Sequence, residues 1–170
     1  VYESFEREKS KRKRNMNIGI IVFSQTGNTH SVALKLEERL AQAGHSVNME
    51  RVEIFGELGP NATDFQLKTS PEVSAYDALV LGAPVMGFAL SPAMQRYLTQ
   101  VGSLQGKTIA CFITKQLPFY WTGGKQAVNR IKKICESKDG AIRGSGIVIW
   151  SSACREEMIG DVVDGLSKLF

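Results

Sequence analysis

Residues 24–29 read Ser24-Gln25-Thr26-Gly27-Asn28-Thr29 and fall between a strand-like run and a helix-like one. Hydroxyl and amide side chains and one glycine converge where a helix N-terminus points its free N–H groups. Such a loop can bind a phosphate without cationic side chains, through amide donors and the positive end of the helix dipole. Gly27 permits a tight backbone turn, and Ser24, Thr26 and Thr29 can donate further hydrogen bonds. An ordinary helix cap, made by Asn28 or Thr29, needs only one such residue. Six in a row exceed that need, which favours a phosphate cradle.

Two further segments look misplaced for surface connections. Residues 83–90 are Ala83, Pro84, Val85, Met86, Gly87, Phe88, Ala89 and Leu90, apolar where polar turn residues are normal; a loop tucked into the core is the plainer reading. Residues 114–124 run Thr114, Lys115, Gln116, Leu117, Pro118, Phe119, Tyr120, Trp121, Thr122, Gly123 and Gly124, with three aromatics in succession. Two apolar loops opening on one crevice suit a planar ligand better than they suit water.

Other chemistries fail on the residues present. Gly102 to Thr108 imitates a nucleotide-binding loop, but has three residues between its glycines instead of four and precedes a strand instead of following one. Gly144-Ser145-Gly146 lacks the third glycine of a dinucleotide fingerprint. The end of the first strand carries Ser24-Gln25, not the acids of a phosphoacceptor. His30 and His45 have no evident Ser or Cys partner. Cys111, Cys135 and Cys154 form no C-x-x-C pair and no metal-ligand spacing. The first two read as core thiols; Cys154 stands near a helix start. No side chain is therefore nominated as acid, base, nucleophile or metal ligand.

The elements that must position these loops follow from periodicity. Ile18 to Phe23 is a short apolar run of the kind buried on both faces of a parallel sheet. Val32, Ala33, Leu36, Leu40 and Ala43 then recur at helical spacing, with Gly44 placed to end that helix. Val47 and Met49 mark a second strand, Ala78 to Leu81 a third, Thr108 to Thr114 a fourth and Ile147 to Trp150 a fifth. Ser91-Pro92 opens a helix striped by Met94, Tyr97, Leu98 and Val101. Ala127, Val128, Ile131, Ile134 and Cys135 stripe the next, and Met158 to Leu169 the last. A short helix is expected near Asn61 to Lys68, because twenty structureless residues are unusual in a compact domain. Strands alternating with amphipathic helices predict an α/β fold: a doubly wound three-layer sandwich on a five-stranded parallel sheet of order 2-1-3-4-5. Its ligand crevice lies beyond the carboxyl ends of strands one and three, which selects residues 24–29, 83–90 and 114–124.

At 170 residues the chain is expected to hold one domain. Its apolar fraction of 43% and charged fraction of 22% argue against a disordered or fibrous chain, and no run approaches the ~18–20 apolar residues of a membrane span. The formal charge is +4. Residues 1–15 supply most of it, with six basic groups against three acids. That stretch reads as a basic N-terminal tail, either a solvated leader or a remnant of cloning, ahead of a domain over 16–170. With the charge located there, neither nucleic acid nor a membrane is expected as partner. No cleavable signal peptide is recognisable, and the odd cysteine count agrees with a cytoplasmic protein.

Ser24-Gln25-Thr26-Gly27-Asn28-Thr29 resembles the phosphate loop of flavodoxins. The resemblance extends over residues 16–170, through Tyr76-Asp77-Ala78-Leu79-Val80-Leu81-Gly82-Ala83-Pro84 and Thr122-Gly123-Gly124. It implies a flavodoxin-like fold and bound FMN, with the 5′-phosphate held by Ser24, Gln25, Thr26, Gly27, Asn28 and Thr29. The isoalloxazine ring would lie between Ala83–Phe88 and the loop of Thr114, Lys115, Gln116, Tyr120, Trp121, Thr122, Gly123 and Gly124. By the same resemblance Trp121 is the first choice for stacking on the ring, with Tyr120 or Phe88 next, and Gly87 could allow a peptide flip toward flavin N5. The implied function is electron transfer between redox protein partners by a monomer or homodimer. The alternatives are an FMN-dependent NAD(P)H:quinone-type reductase, or a flavin-free interaction module on the same fold.

The sequence departs from the resemblance in charge. Flavodoxins crowd acidic residues around the flavin. Residues 83–90 and 114–124 hold none and carry Lys115. A cation there stabilises an anionic reduced flavin by Coulomb attraction, so the expected potential is less negative than in acidic flavodoxins. The scarcity of acids there argues against docking to basic partner surfaces.

Overall fold

The apolar run after Met16 forms β1 (Asn17–Val22), an inner strand of the sheet buried along almost its whole length. In the computed structural model, which describes residues 14–170, β1 is followed by α1 (Asn28–Gln42), β2 (Ser46–Arg51) and two short strands, β3 (Glu53–Ile54) and β4 (Leu67–Thr69). Then come β5 (Ala78–Met86), β6 (Ala89–Leu90), α2 (Pro92–Gln100), β7 (Thr108–Lys115), α3 (Gly124–Glu136), β8 (Ala141–Ile149) and α4 (Arg155–Ser167). The basic tail expected over residues 1–15 lies outside the described residues, apart from Arg14 and Asn15.

The main sheet runs β2-β1-β5-β7-β8 and all four pairings are parallel. This is the predicted doubly wound order. Alternation along the inner strands builds two cores. Ile21, Leu79, Leu81, Ile109, Cys111 and Ile113 pack on one face with Met94 and Leu98 of α2 and Ala127 and Ile131 of α3. Ile18, Ile20, Val80, Ala110 and Phe112 pack on the other with Val32, Leu36 and Leu40 of α1 and Ile159 and Val163 of α4. Cys111 and Cys135 are free thiols in the first core. Gly144 and Gly146, read above as an incomplete fingerprint, face α4. A Cβ on them would come within 2.5 Å of Leu169 and 2.7 Å of Val162. They are packing residues.

The segment between β3 and β4 corrects one expectation. Residues 61–68 do not form a helix; Leu67–Thr69 instead pairs antiparallel with Glu53–Ile54. Arg96 of α2 holds the preceding loop by donating to the carbonyls of Phe65 and, at 2.9 Å, Thr63, with its guanidinium 3.8 Å above the Phe65 ring. These partners are remote in sequence, so local periodicity cannot register them.

A second feature absent from the sequence reading is the hairpin that prolongs β5. Val85 pairs with Leu90 and Met86 with Ala89, closed by Gly87 (φ 58°) and Phe88 (φ 62°). Two consecutive left-handed residues make the tight turn that matches strand twist. Gly87 suits that position, and a Cβ there would press to 2.9 Å on Pro60. Phe88 is a bulky residue in a region that L-residues seldom occupy. Across from it, Gly123 begins α3 at φ 100°, and a Cβ on it would lie 2.3 Å from the backbone of Phe88. The 57–66 loop, the hairpin and the 116–124 loop are thus locked edge to edge.

Two outcomes follow for stability. Gly123→Ala forces both a left-handed alanine and a backbone clash, and should cost at least ~2 kcal/mol; a urea-denaturation loss under about 0.5 kcal/mol contradicts the interlock. Burial pushes the Cys111 and Cys135 thiols up from 9.0 to about 12, and burial plus a hydrogen bond to Glu50 pushes the Tyr76 hydroxyl up to about 12. The fold favours the protonated forms. Their stabilisation is complete below the unfolded-state values and is lost as pH climbs from about 9 toward about 12. The urea midpoint should fall steadily across that window, and a flat profile contradicts the assignment.

Candidate functional site

All the βα connections of a parallel sheet place their helix N-termini at one edge. At that edge β1 ends, Phe23 N–H donates to Gly82 O at 3.0 Å, and the chain turns through residues 24–27 into α1. The Ser24 hydroxyl accepts from Gly27 N–H at 3.2 Å, fixing the turn. Gly27 is the N-cap residue, left-handed at φ 95°, and α1 has no side-chain cap and no acid in its first turn. The plain capping role considered for Asn28 or Thr29 is therefore not what the loop does. Thr29 instead points inward: its hydroxyl lies 2.8 Å from that of Thr114 at the end of β7, in a buried contact that ties α1 to the fourth strand of the sheet.

Gln25 has a different role from its neighbours. Its amide donates to Leu58 O and accepts from Leu58 N–H, both at 3.2 Å, so it anchors the 57–66 loop. Thr26, Gly27 and Asn28 keep accessible surface at the start of the helix.

Lys115 is nearly buried, and its ammonium donates to Phe119 O at 2.8 Å and to the Thr122 hydroxyl at 3.1 Å. Thr122 in turn donates to Phe119 O or Leu117 O. The lysine is the internal brace of the 116–122 loop, and burial lowers its pKa. Around that brace the loop turns its aromatics outward. Trp121 stacks parallel to Phe119 at 5.7 Å and meets Phe88 edge-on at 5.6 Å. Phe88, Leu117, Phe119, Tyr120 and Trp121 are all exposed, Tyr120 to 87%.

Between these parts lies a cavity of about 150 Å3, lined by Gln25, Thr26, Asn28, Thr29, Pro84, Val85, Met86, Thr114, Lys115 and Gln116. Ten of the residues singled out by sequence thus meet around one space. Ser24 and Gly27 adjoin it through the chain. Ala83 is wholly buried in the core, and Thr122, Gly123 and Gly124 are buried behind the loop. Gly87 and Phe88 form the hairpin tip, with Tyr120 and Trp121 on the outer rim. A larger cavity of about 540 Å3 opens between α2 and residues 61–65, but its charged group, Arg96, is committed to loop carbonyls. The residues missed by sequence are Leu58, Pro60 and Asn61, which brace the site from the 57–66 loop and carry no chemical signature of their own.

The donor set fits an anion carried on an apolar body. An uncapped helix start and hydroxyls line one end; Pro84, Val85, Met86 and the aliphatic stem of Lys115 line the other. Among the described residues no group of His, Cys, Asp and Glu could hold a metal ion, and no described helix is long and apolar enough to cross a membrane.

No family model matches the chain. It is 26% identical over 126 residues to an NAD(P)H dehydrogenase (quinone) of Archaeoglobus fulgidus, a match covering 64% of each chain, so less than two thirds of that relative's length is spanned. Among solved structures, flavodoxin 2 of Bacillus cereus superimposes with a TM-score of 0.67 at 18% identity, covering 91% of this chain and 99% of that one. A Fusobacterium nucleatum flavodoxin bound to flavin mononucleotide gives a TM-score of 0.59 at 15% identity, covering 91% and 99%. Together with the strand order and the crevice at its carboxyl edge, these likenesses establish that the chain has the flavodoxin-like α/β fold.

Proposed function

We propose that the chain is an FMN-binding electron-transfer protein. The observation that carries this reading is the uncapped start of α1, facing a cavity whose opposite wall is apolar. FMN, when bound, supplies the redox chemistry. The protein's part is to hold, orient and tune. Thr26, Gly27, Asn28 and the free amides behind them would take the phosphate. Pro84, Val85, Met86 and Gln116 would take the body of the cofactor, with Gly87, Phe88, Tyr120 and Trp121 at its mouth. The enclosed volume of about 150 Å3 is below the ~300 Å3 of a typical whole-ligand pocket, so part of a bound flavin would extend beyond it toward the rim. The Lys115 ammonium, anchored to Phe119 and Thr122, puts a fixed positive charge behind that rim with no carboxylate in either loop.

A second reading, an FMN-dependent NAD(P)H:quinone reductase, is favoured by the Archaeoglobus relative. Steady-state oxidation of NADPH with a soluble quinone separates the two: a carrier turns over slowly without an added reductase, an enzyme rapidly. A flavin-free module predicts a chain that stays colourless after FMN is added.

Two variants test the assignments. Asn28→Asp places a carboxylate where the phosphate should sit. It should stabilise the flavin-free helix by ~0.3–1 kcal/mol while weakening FMN binding about tenfold or more, measured by thermal melting and flavin-fluorescence titration; unchanged FMN affinity contradicts the cradle. Lys115→Met should make the potential of the bound flavin more negative in a redox titration. An equal or less negative potential contradicts the role given to its charge.

A further inference from the structure

The region after Lys115 carries an imbalance that the fold does not require. Residues 116–136 contain four cations, Lys125, Arg130, Lys132 and Lys133, against one carboxylate, Glu136, the last residue of α3. All four are exposed on α3, and among the described residues none of them enters an ion pair. Lys125 stands in the first turn of α3, which holds no acid. There it opposes the helix dipole, a placement that costs rather than gains stability. Arg130 and Lys133, three residues apart, repel one another on the same face. α4 shows the contrary arrangement, with Glu156 and Glu157 in its first turn. Positive charge on α3 has no evident use inside the chain.

Its neighbour is the aromatic rim. Leu117, Phe119, Tyr120 and Trp121 precede Gly124 directly, and Phe88 touches Trp121 across the loop. Five large exposed apolar side chains on one rim are an interaction surface by size and type. α3 leads away from that rim for about 20 Å, so its cations flank the apolar centre on one side. Toward the far end of the helix, beside the exposed Glu136, Arg130, Lys133 and Lys138 share a cavity of about 320 Å3 whose lining includes no acid. In the 57–66 loop, Glu57 opens on a separate cavity with Arg51 and Lys68.

We infer that the 116–122 rim and the exposed face of α3 form one docking surface for an acidic redox protein, with the rim as its apolar centre and Lys125, Arg130, Lys132 and Lys133 as its steering charges. The inference rests on the proposed electron-transfer function and names its partner's chemistry. A nucleic acid is less well served, because the aromatics that would stack on bases, Phe119 and Trp121, already stack on each other. Rim charges of this kind act mainly on the association rate and its salt dependence.

The test uses two one-electron acceptor proteins of opposite charge, acidic plant plastocyanin and basic mitochondrial cytochrome c. The full chain is loaded with FMN and fully reduced. Each acceptor takes one electron, so two are reduced per chain and the flavin's protons pass to solvent. Flavin uptake is read first from visible absorbance; failure there defeats the proposed function. Binding of the flavin-free chain to the same two proteins still decides the docking surface. The stopped-flow rate with plastocyanin should fall about fivefold or more between 20 and 200 mM salt, while that with cytochrome c should rise. Binding should favour plastocyanin likewise. The double variant Lys125→Glu, Lys132→Glu should reverse both salt trends with flavin content unchanged. A faster, salt-weakened reaction with cytochrome c, insensitivity to the double variant, or tighter binding to duplex DNA or to anionic phosphatidylserine vesicles than to plastocyanin overturns the inference.

Discussion

A parallel sheet sends every helix start to the same edge, and the structure depends on that constraint. β1, β5 and β7 lie side by side because only residues apolar on both faces can be buried between two helical layers. Once they do, the free N–H groups opening α1 and α3 are gathered beside the carboxyl ends of the strands. Both helices begin on a left-handed glycine, and neither carries a side-chain cap or an acid in its first turn. In α1 that leaves donors facing a cavity. In α3 the same dipole stands behind the aromatic rim, next to a lysine that opposes it.

What holds the edge in shape is a set of long-range contacts between loops. The Gln25 amide ties the 24–29 loop to Leu58, the Thr29 and Thr114 hydroxyls tie α1 to β7, and Gly123 lets α3 start against the backbone of Phe88. Lys115 closes the set by bracing the loop that carries Phe119 and Trp121. Binding groups held this way are positioned before a ligand arrives, which spares the ordering cost that flexible loops incur on binding.

The main strands, the four helices and the polar loop were legible because each is announced locally, by apolar runs, a 3.6-residue stripe or a cluster of hydroxyls. The β3–β4 pair and the β5–β6 hairpin were not. Leu67 joins a strand pair with Ile54 too short to show a period, Phe65 sits under Arg96 from the distant α2, and the local hairpin turn puts Phe88 where such turns favour Asn or Gly. Side-chain direction was equally hidden. Lys115 is visible in the sequence as a cation near the crevice, yet its ammonium is satisfied within its own loop. Gln25 reads as one polar residue among six, yet its amide is committed to the backbone of Leu58. At this site residue type could be read from sequence, but commitment to partners could not.

The central claim is that the start of α1 anchors a phosphate attached to a flat apolar body. Comparing FMN with riboflavin, which lacks only the phosphate, tests it most directly, by flavin-fluorescence titration of the purified full chain at one pH and salt. FMN should bind at least ~100-fold more tightly, a difference of about 2.7 kcal/mol. Equal affinities for the two flavins, or no binding of FMN, would contradict it.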